Sequence, residues 1–201
     1  MAKINPNFKD VAQGYFSTEI AKRAKPFIDA NPNIEIFKLG IGNTTEPIVP
    51  SVIAGLEEGV RKLSKAESYT GYGDEQGDAR LRQAIAKLYV ERGVEIEPSE
   101  VYVSDGAKTD CANILSIFSD GSVVAISDPV YPAYRDSAII MGRRIVYMKG
   151  TEENSFVPEL PKEKVDAMIL CNPNNPTGTV ATKEQLKKLK LLMAWEQLKI
   201  A

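Results

Sequence analysis

Three short strings in this chain place polar or aromatic side chains where a small ligand could meet them. The first, Ser104-Asp105-Gly106-Ala107-Lys108-Thr109, is a run of small residues around one lysine. If it joins a strand to a helix, its backbone amides face outward at the helix start and, with the Lys108 ammonium, can hold an anion such as a phosphate. A plain strand-to-helix turn capped by Ser104 or Asp105 fits the same residues. The second, Asp128-Pro129-Val130-Tyr131-Pro132, sets a tyrosine between two prolines that limit its backbone. Its ring can stack on a flat ligand, or it can be the half-buried residue of an ordinary turn. The third, Cys171-Asn172-Pro173-Asn174-Asn175-Pro176-Thr177-Gly178, has a rigid, helix-incompatible backbone able to aim a side-chain amide. Such an amide suits a phenolate or carbonyl oxygen, and Asn-Pro bonds are open to the cis form. Read with the other two, this loop is better explained as part of a site than as a decorative turn. A fourth segment, Tyr69 to Gly77 followed by Leu81-Arg82, imitates a dinucleotide fingerprint; its third glycine is one position late and no strand precedes it, so that reading is rejected.

Composition removes several other chemistries. The 201 residues include no histidine, so Ser-His-Asp and Cys-His nucleophile systems, HExxH zinc sites and histidine pH switches are excluded within the chain. A net charge of -2, from 25 basic against 27 acidic residues, with no basic patch interleaved with aromatics, argues against nucleic-acid binding. Cys111 and Cys171 form no CxxC pair and read as buried thiols of a reducing compartment. With no apolar leader and no segment near a membrane span, the expectation is a soluble, cytoplasmic protein, with no membrane partner.

The elements that must position the loops follow from the change of hydrophobic period. The first fifty or so residues, broken by Pro6, Pro26, Pro32, Pro47 and Pro50, read as an irregular arm with one short strand from Ile34 to Leu39. After Pro50-Ser51 a helical stretch is expected to about Leu63, with Val52, Leu56 and Val60 on one face. Another follows Gly77-Asp78, with Leu81, Ile85, Leu88 and Tyr89 in a stripe and Gly93 as its stop. Strands are then expected at Val101–Val103, Ser122–Ile126, Ile145–Met148 and Val165–Cys171, alternating with helices at Ala107–Phe118, Ala133–Met141 and from Thr182 onward. Continuous apolar strands alternating with helices predict an α/β fold, a parallel sheet covered on both faces. Ligands of such sheets bind beyond the carboxyl ends of the strands, where all three loops fall.

Taken in order, Tyr72-Gly73 with Gly77 and Leu81-Arg82, Ser104 to Lys108, Asp128 to Pro132 and Asn174 to Gly178 resemble the pyridoxal-phosphate aminotransferases of classes I and II. The Ser-Asp-Gly-Ala-Lys string, with Gly14-Tyr15-Phe16 and Leu39-Gly40-Ile41-Gly42-Asn43-Thr44-Thr45, is similar to the LL-diaminopimelate aminotransferase branch. The resemblance implies the fold-type-I transferase architecture, an incomplete and mainly parallel sheet with helices on both faces plus an N-terminal arm. It implies pyridoxal 5'-phosphate as cofactor, with its phosphate held by Ala107, Lys108 and, across a homodimer interface, Tyr72. Tyr131 would stack on or beside the pyridine ring, and Asn175 would hydrogen-bond the ring's 3-oxygen. Tyr15, Gly42 and Lys108, with Tyr131 and Asn175, match positions that meet the amino-acid substrate. The implied reaction moves an amino group between L-glutamate and tetrahydrodipicolinate, giving LL-diaminopimelate and 2-oxoglutarate in lysine biosynthesis.

Two departures qualify it. Thr109 stands where the family motif has cysteine, and the later motifs cannot be matched: the Ser-rich string ending in the Schiff-base lysine, the aspartate for the pyridinium nitrogen and the late arginine. The expected chain is therefore an N-terminal part of such an enzyme: residues 1–48 as arm and part of the small domain, 49–189 as the start of the large cofactor domain, and 190–201 as a divergent tail. Val101–Val103 would then lack its neighbouring strands. The competing reading is a non-catalytic half that binds phosphate-bearing ligands or complements a second polypeptide.

Overall fold

The computed structural model describes residues 2–11, 16–37, 42 and 44–194. They form two compact units, one running from Ile20 to Asp105 and the other made of the residues up to Glu19 with those from Gly106 onward.

The Ile20–Asp105 unit holds most of α1 (Phe16–Ala30), together with α2 (Pro50–Leu63) and α3 (Ala79–Val90). The α1 helix corrects the expectation of an irregular start. Ile20, Ala24, Phe27 and Ile28 keep helical spacing through Pro26. A solvent-exposed helix tolerates a proline because water is at hand for the carbonyl that the missing N–H leaves. No strand forms over residues 34–37, while residues 38–39 of that expectation lie outside the described residues.

In α2, Pro50 occupies the first turn, and Glu57–Arg61 and Glu58–Lys62 pairs run along its surface. Its Val52, Leu56 and Val60 stripe is present but faces solvent, and no residue of the helix is buried. The α3 start is set by Asp78, whose side chain accepts from the Arg80 and Leu81 amides at 2.9 and 3.2 Å. Val101–Val103 is not a strand. It has no strand beside it among the described residues; Val103 N–H instead donates to the Gln76 carbonyl at 2.9 Å. Extended backbone becomes sheet only with a partner.

The other unit contains α4 (Ala107–Asn113), β1 (Val123–Asp128), α5 (Pro132–Ile140), β2 (Arg144–Lys149), β3 (Ala167–Ile169) and α6 (Lys183–Ala194). The sheet order is β2-β1-β3, parallel throughout. Val124 is level with Ile145 and Ala167, and Ile126 with Tyr147 and Ile169. Because β1 is covered on both faces by helices, Val124, Ala125 and Ile126 are all fully buried, as a continuous apolar run requires. Leu115, Val124, Ile126 and Ala138 form the core, and Ala138 lets α5 lie close to the sheet.

The α4 helix is shorter than expected. Residues Ile114–Ile117 tighten into a 3-10 turn, where the Ser116 hydroxyl bonds back to the Asn113 carbonyl at 2.7 Å. The turn places Leu115 in the core at 1% exposure. The N-terminal arm, a 3-10 turn at Pro6–Asp10, is fastened to the end of α5: Asn5 and Asn7 Nδ2 donate to the Ile140 carbonyl at 2.8 and 3.4 Å. Among the described residues no helix is long and apolar enough to cross a membrane.

Candidate functional site

The three loops are set by local geometry. Gly106 takes φ 140°, a conformation that side chains resist, and delivers the chain into α4 with Ala107 and Lys108 in its first turn. Tyr131 is the residue before α5, with Pro132 opening the helix behind it. Its ring meets that of Tyr134 edge-on, with centroids 5.5 Å apart and planes at 77°. The Lys108 Nζ stands 5.9 Å from the Tyr131 centroid, so two of the three loops are brought together by their chemistry-bearing side chains.

The third loop follows β3. Asn172 Oδ1 accepts from the Ala181 amide at 2.9 Å, and the Cys171 thiol donates to the Pro173 carbonyl at 3.3 Å. The chain then enters α6 through a reciprocal cap between Thr182 and Gln185. The Asp128–Pro129, Asn172–Pro173 and Asn175–Pro176 bonds are all cis. Asn175 is exposed, whereas the adjacent Asn174 is buried, and its Nδ2 donates to Thr177 Oγ1 and to the Pro129 carbonyl. Behind this loop, Ser127, Val157, Leu170, Asn174 and Leu186 border a cavity of ≈ 20 Å³. That is room for about one water-sized molecule, so it is no cofactor pocket.

Tyr72 belongs to the Ile20–Asp105 unit, where its side chain projects fully into solvent at 104% exposure. Its loop is fixed by Arg82, which donates to the Gly77, Gln76 and Pro98 oxygens and pairs with Asp74 at 2.9 Å. Gly42 is exposed, and a Cβ there would meet nothing within 4 Å. Tyr15 lies outside the described residues.

Two participants were not marked by the sequence reading. Tyr134 supports the Tyr131 ring, and burial first, then the Cys171 thiol, push its hydroxyl up to about 12. Its place one helical turn after Tyr131 was the available signal. Asn174 sits in the same motif as Asn175, but the resemblance assigns it no role. Among the described residues no cluster of histidine, cysteine, aspartate or glutamate could hold a metal ion. The donor set is instead an ammonium, an aromatic ring and an exposed amide, which fits a ligand combining an anionic group with a flat ring.

This parallel α/β arrangement is accompanied by a direct family match. The family model for aminotransferase class I and II matches residues 34–198, and the chain belongs to that family. Its solved neighbours include L,L-diaminopimelate aminotransferase from Chlamydomonas reinhardtii, with 36% identity and a TM-score of 0.84 over 96% of this chain and 50% of that one. Aspartate aminotransferase from Thermotoga maritima is similar at 28% identity and TM-score 0.80, covering 96% of this chain and 52% of that one. BacF from Bacillus subtilis, solved in its apo form, matches at 25% identity and TM-score 0.80 over 97% of this chain and 50% of that one. The chain thus spans about half the length of these neighbours. Enzymes of the family depend on pyridoxal phosphate.

Proposed function

We propose that this chain carries the cofactor-holding half of a pyridoxal-phosphate aminotransferase of the LL-diaminopimelate type. The observation that carries the reading is the Lys108 ammonium beside the Tyr131 ring in a chain of this family. When bound, pyridoxal phosphate supplies an electron sink for the bonds at the amino-acid Cα.

The chain's own residues would bind and orient it. Lys108 neutralises the phosphate, with the backbone at Ala107 beside it, and Tyr72 adds a hydroxyl from a second copy in a homodimer. Tyr131 restricts the ring by stacking. Asn175, an uncharged donor, holds the 3-oxygen through its side-chain amide N–H. Tyr15, Gly42, Lys108, Tyr131 and Asn175 line the amino-acid side. The substrates on this reading are L-glutamate with tetrahydrodipicolinate, and LL-diaminopimelate with 2-oxoglutarate, in a cytoplasmic enzyme of lysine biosynthesis. The domain division at residues 48 and 189 belongs to the same reading.

The lysine that carries the cofactor has no matched motif in these 201 residues, so on this reading they hold the cofactor without supplying that lysine. A further reading is a non-catalytic phosphate-binding half that works with a second polypeptide. Similarity to an aspartate aminotransferase keeps another amino-acid specificity as an alternative.

The test is a titration of the purified chain with pyridoxal 5'-phosphate, followed by a glutamate-dependent assay with and without a polypeptide supplying the lysine half. Binding by the chain, and turnover only in the mixture, is the expected result. Turnover by the chain alone would overturn the division of labour. No binding in either case would overturn the cofactor reading.

A further inference from the structure

Asn174 and Asn175 are neighbours of one residue type with opposite situations. Asn175 is exposed, and Asn174 is 8% exposed. The Asn174 backbone closes the turn on both sides: its N–H donates to the Thr179 carbonyl at 2.8 Å, and its carbonyl accepts from the Gly178 N–H at 2.7 Å. Inside the turn, its side-chain Nδ2 donates to Thr177 Oγ1 at 2.9 Å. The same nitrogen reaches the Pro129 carbonyl at 3.4 Å, across 45 residues of sequence.

That second contact joins the loop carrying Asn175 to the loop carrying Tyr131. The orientation of the amide follows from chemistry, because a proline carbonyl can only accept and the atom facing it must be the NH2. Oδ1 is buried and makes no hydrogen bond among the described residues, so the amide is held entirely through its donors.

We propose that Asn174 is the positioning residue of the site: its buried amide fixes the turn that presents Asn175 and ties that turn to the segment that sets Tyr131. The role in cofactor binding rests on the function proposed above; the coupling between the two loops does not. Asn174→Asp is the discriminating variant, since it keeps the shape, removes both donations and turns a carboxylate oxygen toward the Pro129 carbonyl. Thr177→Val removes one acceptor from the opposite side without altering Asn174. Asn172→Ala is the control, because it breaks the bond to Ala181 in the same loop and does not touch Pro129.

The experiment uses the isotope-labelled full chain and two readouts. In NMR spectra, Asn174→Asp and Thr177→Val should each shift the Asn175 side-chain amide together with the Tyr131 ring, with the Val124 and Ile126 amides still protected from exchange. Asn172→Ala should leave the Tyr131 ring where it is. In titrations with pyridoxal 5'-phosphate, Asn174→Asp should weaken binding roughly tenfold, and Asn174→Asp with Asn175→Ala together should lose no more than the larger single loss.

If Asn174→Asp unfolds the chain, the Thr177→Val spectra decide. A Tyr131 ring unmoved in folded Asn174→Asp or in Thr177→Val, or moved equally by Asn172→Ala, would overturn the coupling. Additive losses in the titration would overturn its service to Asn175. A wild-type chain that fails to bind pyridoxal 5'-phosphate would overturn the function it rests on, while the NMR spectra still decide the coupling.

Discussion

The Lys108 ammonium stands 5.9 Å from the centre of the Tyr131 ring, although the two residues begin different helices. A cation over a ring edge or face is worth only about 0.5–1 kcal/mol at an exposed site, so the pair does little for folding. On the function proposed above, its value lies in presenting a charge and a flat surface to one ligand. Lys108→Ala should therefore weaken binding of pyridoxal 5'-phosphate by about 10- to 100-fold, the scale of a lost charge-assisted hydrogen bond. Binding of pyridoxal, which lacks the phosphate, should be the same in wild type and variant. Equilibrium dialysis with the two ligands checks this, and equal losses for both would remove the phosphate role.

Gly77 lies between the loop that bears Tyr72 and the first turn of α3, at φ 98°, and a Cβ there would come within 2.7 Å of Val103 Cβ. Gly77→Ala combines backbone strain with that clash and should destabilise the Ile20–Asp105 unit by about 1–3 kcal/mol. Urea unfolding measures it. Gly71→Ala is the useful comparison, since Gly71 has φ 60° and open space around it. It tests strain without contact and should cost less.

Much of this architecture was legible because the signals were local. Pro50, Asp78 and Gly93 mark helix ends by chemistry that acts within a turn, and β1 announces itself through apolar residues on both faces. What was not legible depends on distant partners. Val101–Val103 has strand-forming residues but no strand beside it among the described residues, and Pro26 was read as a break although a helix runs through it. At the site, the Tyr131 and Asn175 loops could be named from their proline and glycine punctuation. The burial of Asn174 could not, because its amide is held in part by the Pro129 carbonyl 45 residues away.

Equivalent leucines in different surroundings should behave very differently. Leu115 is buried among Val124, Ile126 and Ala138, so Leu115→Ala should cost about 2–5 kcal/mol. Leu56 lies on the exposed stripe of α2, and Leu56→Ala should change stability by no more than about 0.5 kcal/mol. The exposed stripe has a separate consequence. Replacing Leu56 and Val60 together by lysine should reduce binding of an apolar dye and self-association of the chain, as measured by sedimentation.

Tyr134 supplies a pH test. Its hydroxyl is pushed up to about 12 by burial and then by Cys171, whereas an unfolded tyrosine titrates near 10. The stability contributed by the neutral hydroxyl is therefore fully present below about pH 10 and is lost as pH rises toward about 12. The ultraviolet signal of tyrosinate should show one group titrating late. Cys171→Ala should bring that group down only part of the way, since burial is the larger cause.

The sheet order β2-β1-β3 means that β2 and β3 share no hydrogen bonds and meet only through β1. A sheet wired through one strand has no redundant path: when β1 leaves, both neighbours lose their partner in the same event. Amides of β2 and β3 that pair with β1 should accordingly exchange with solvent at matched rates and by one shared opening.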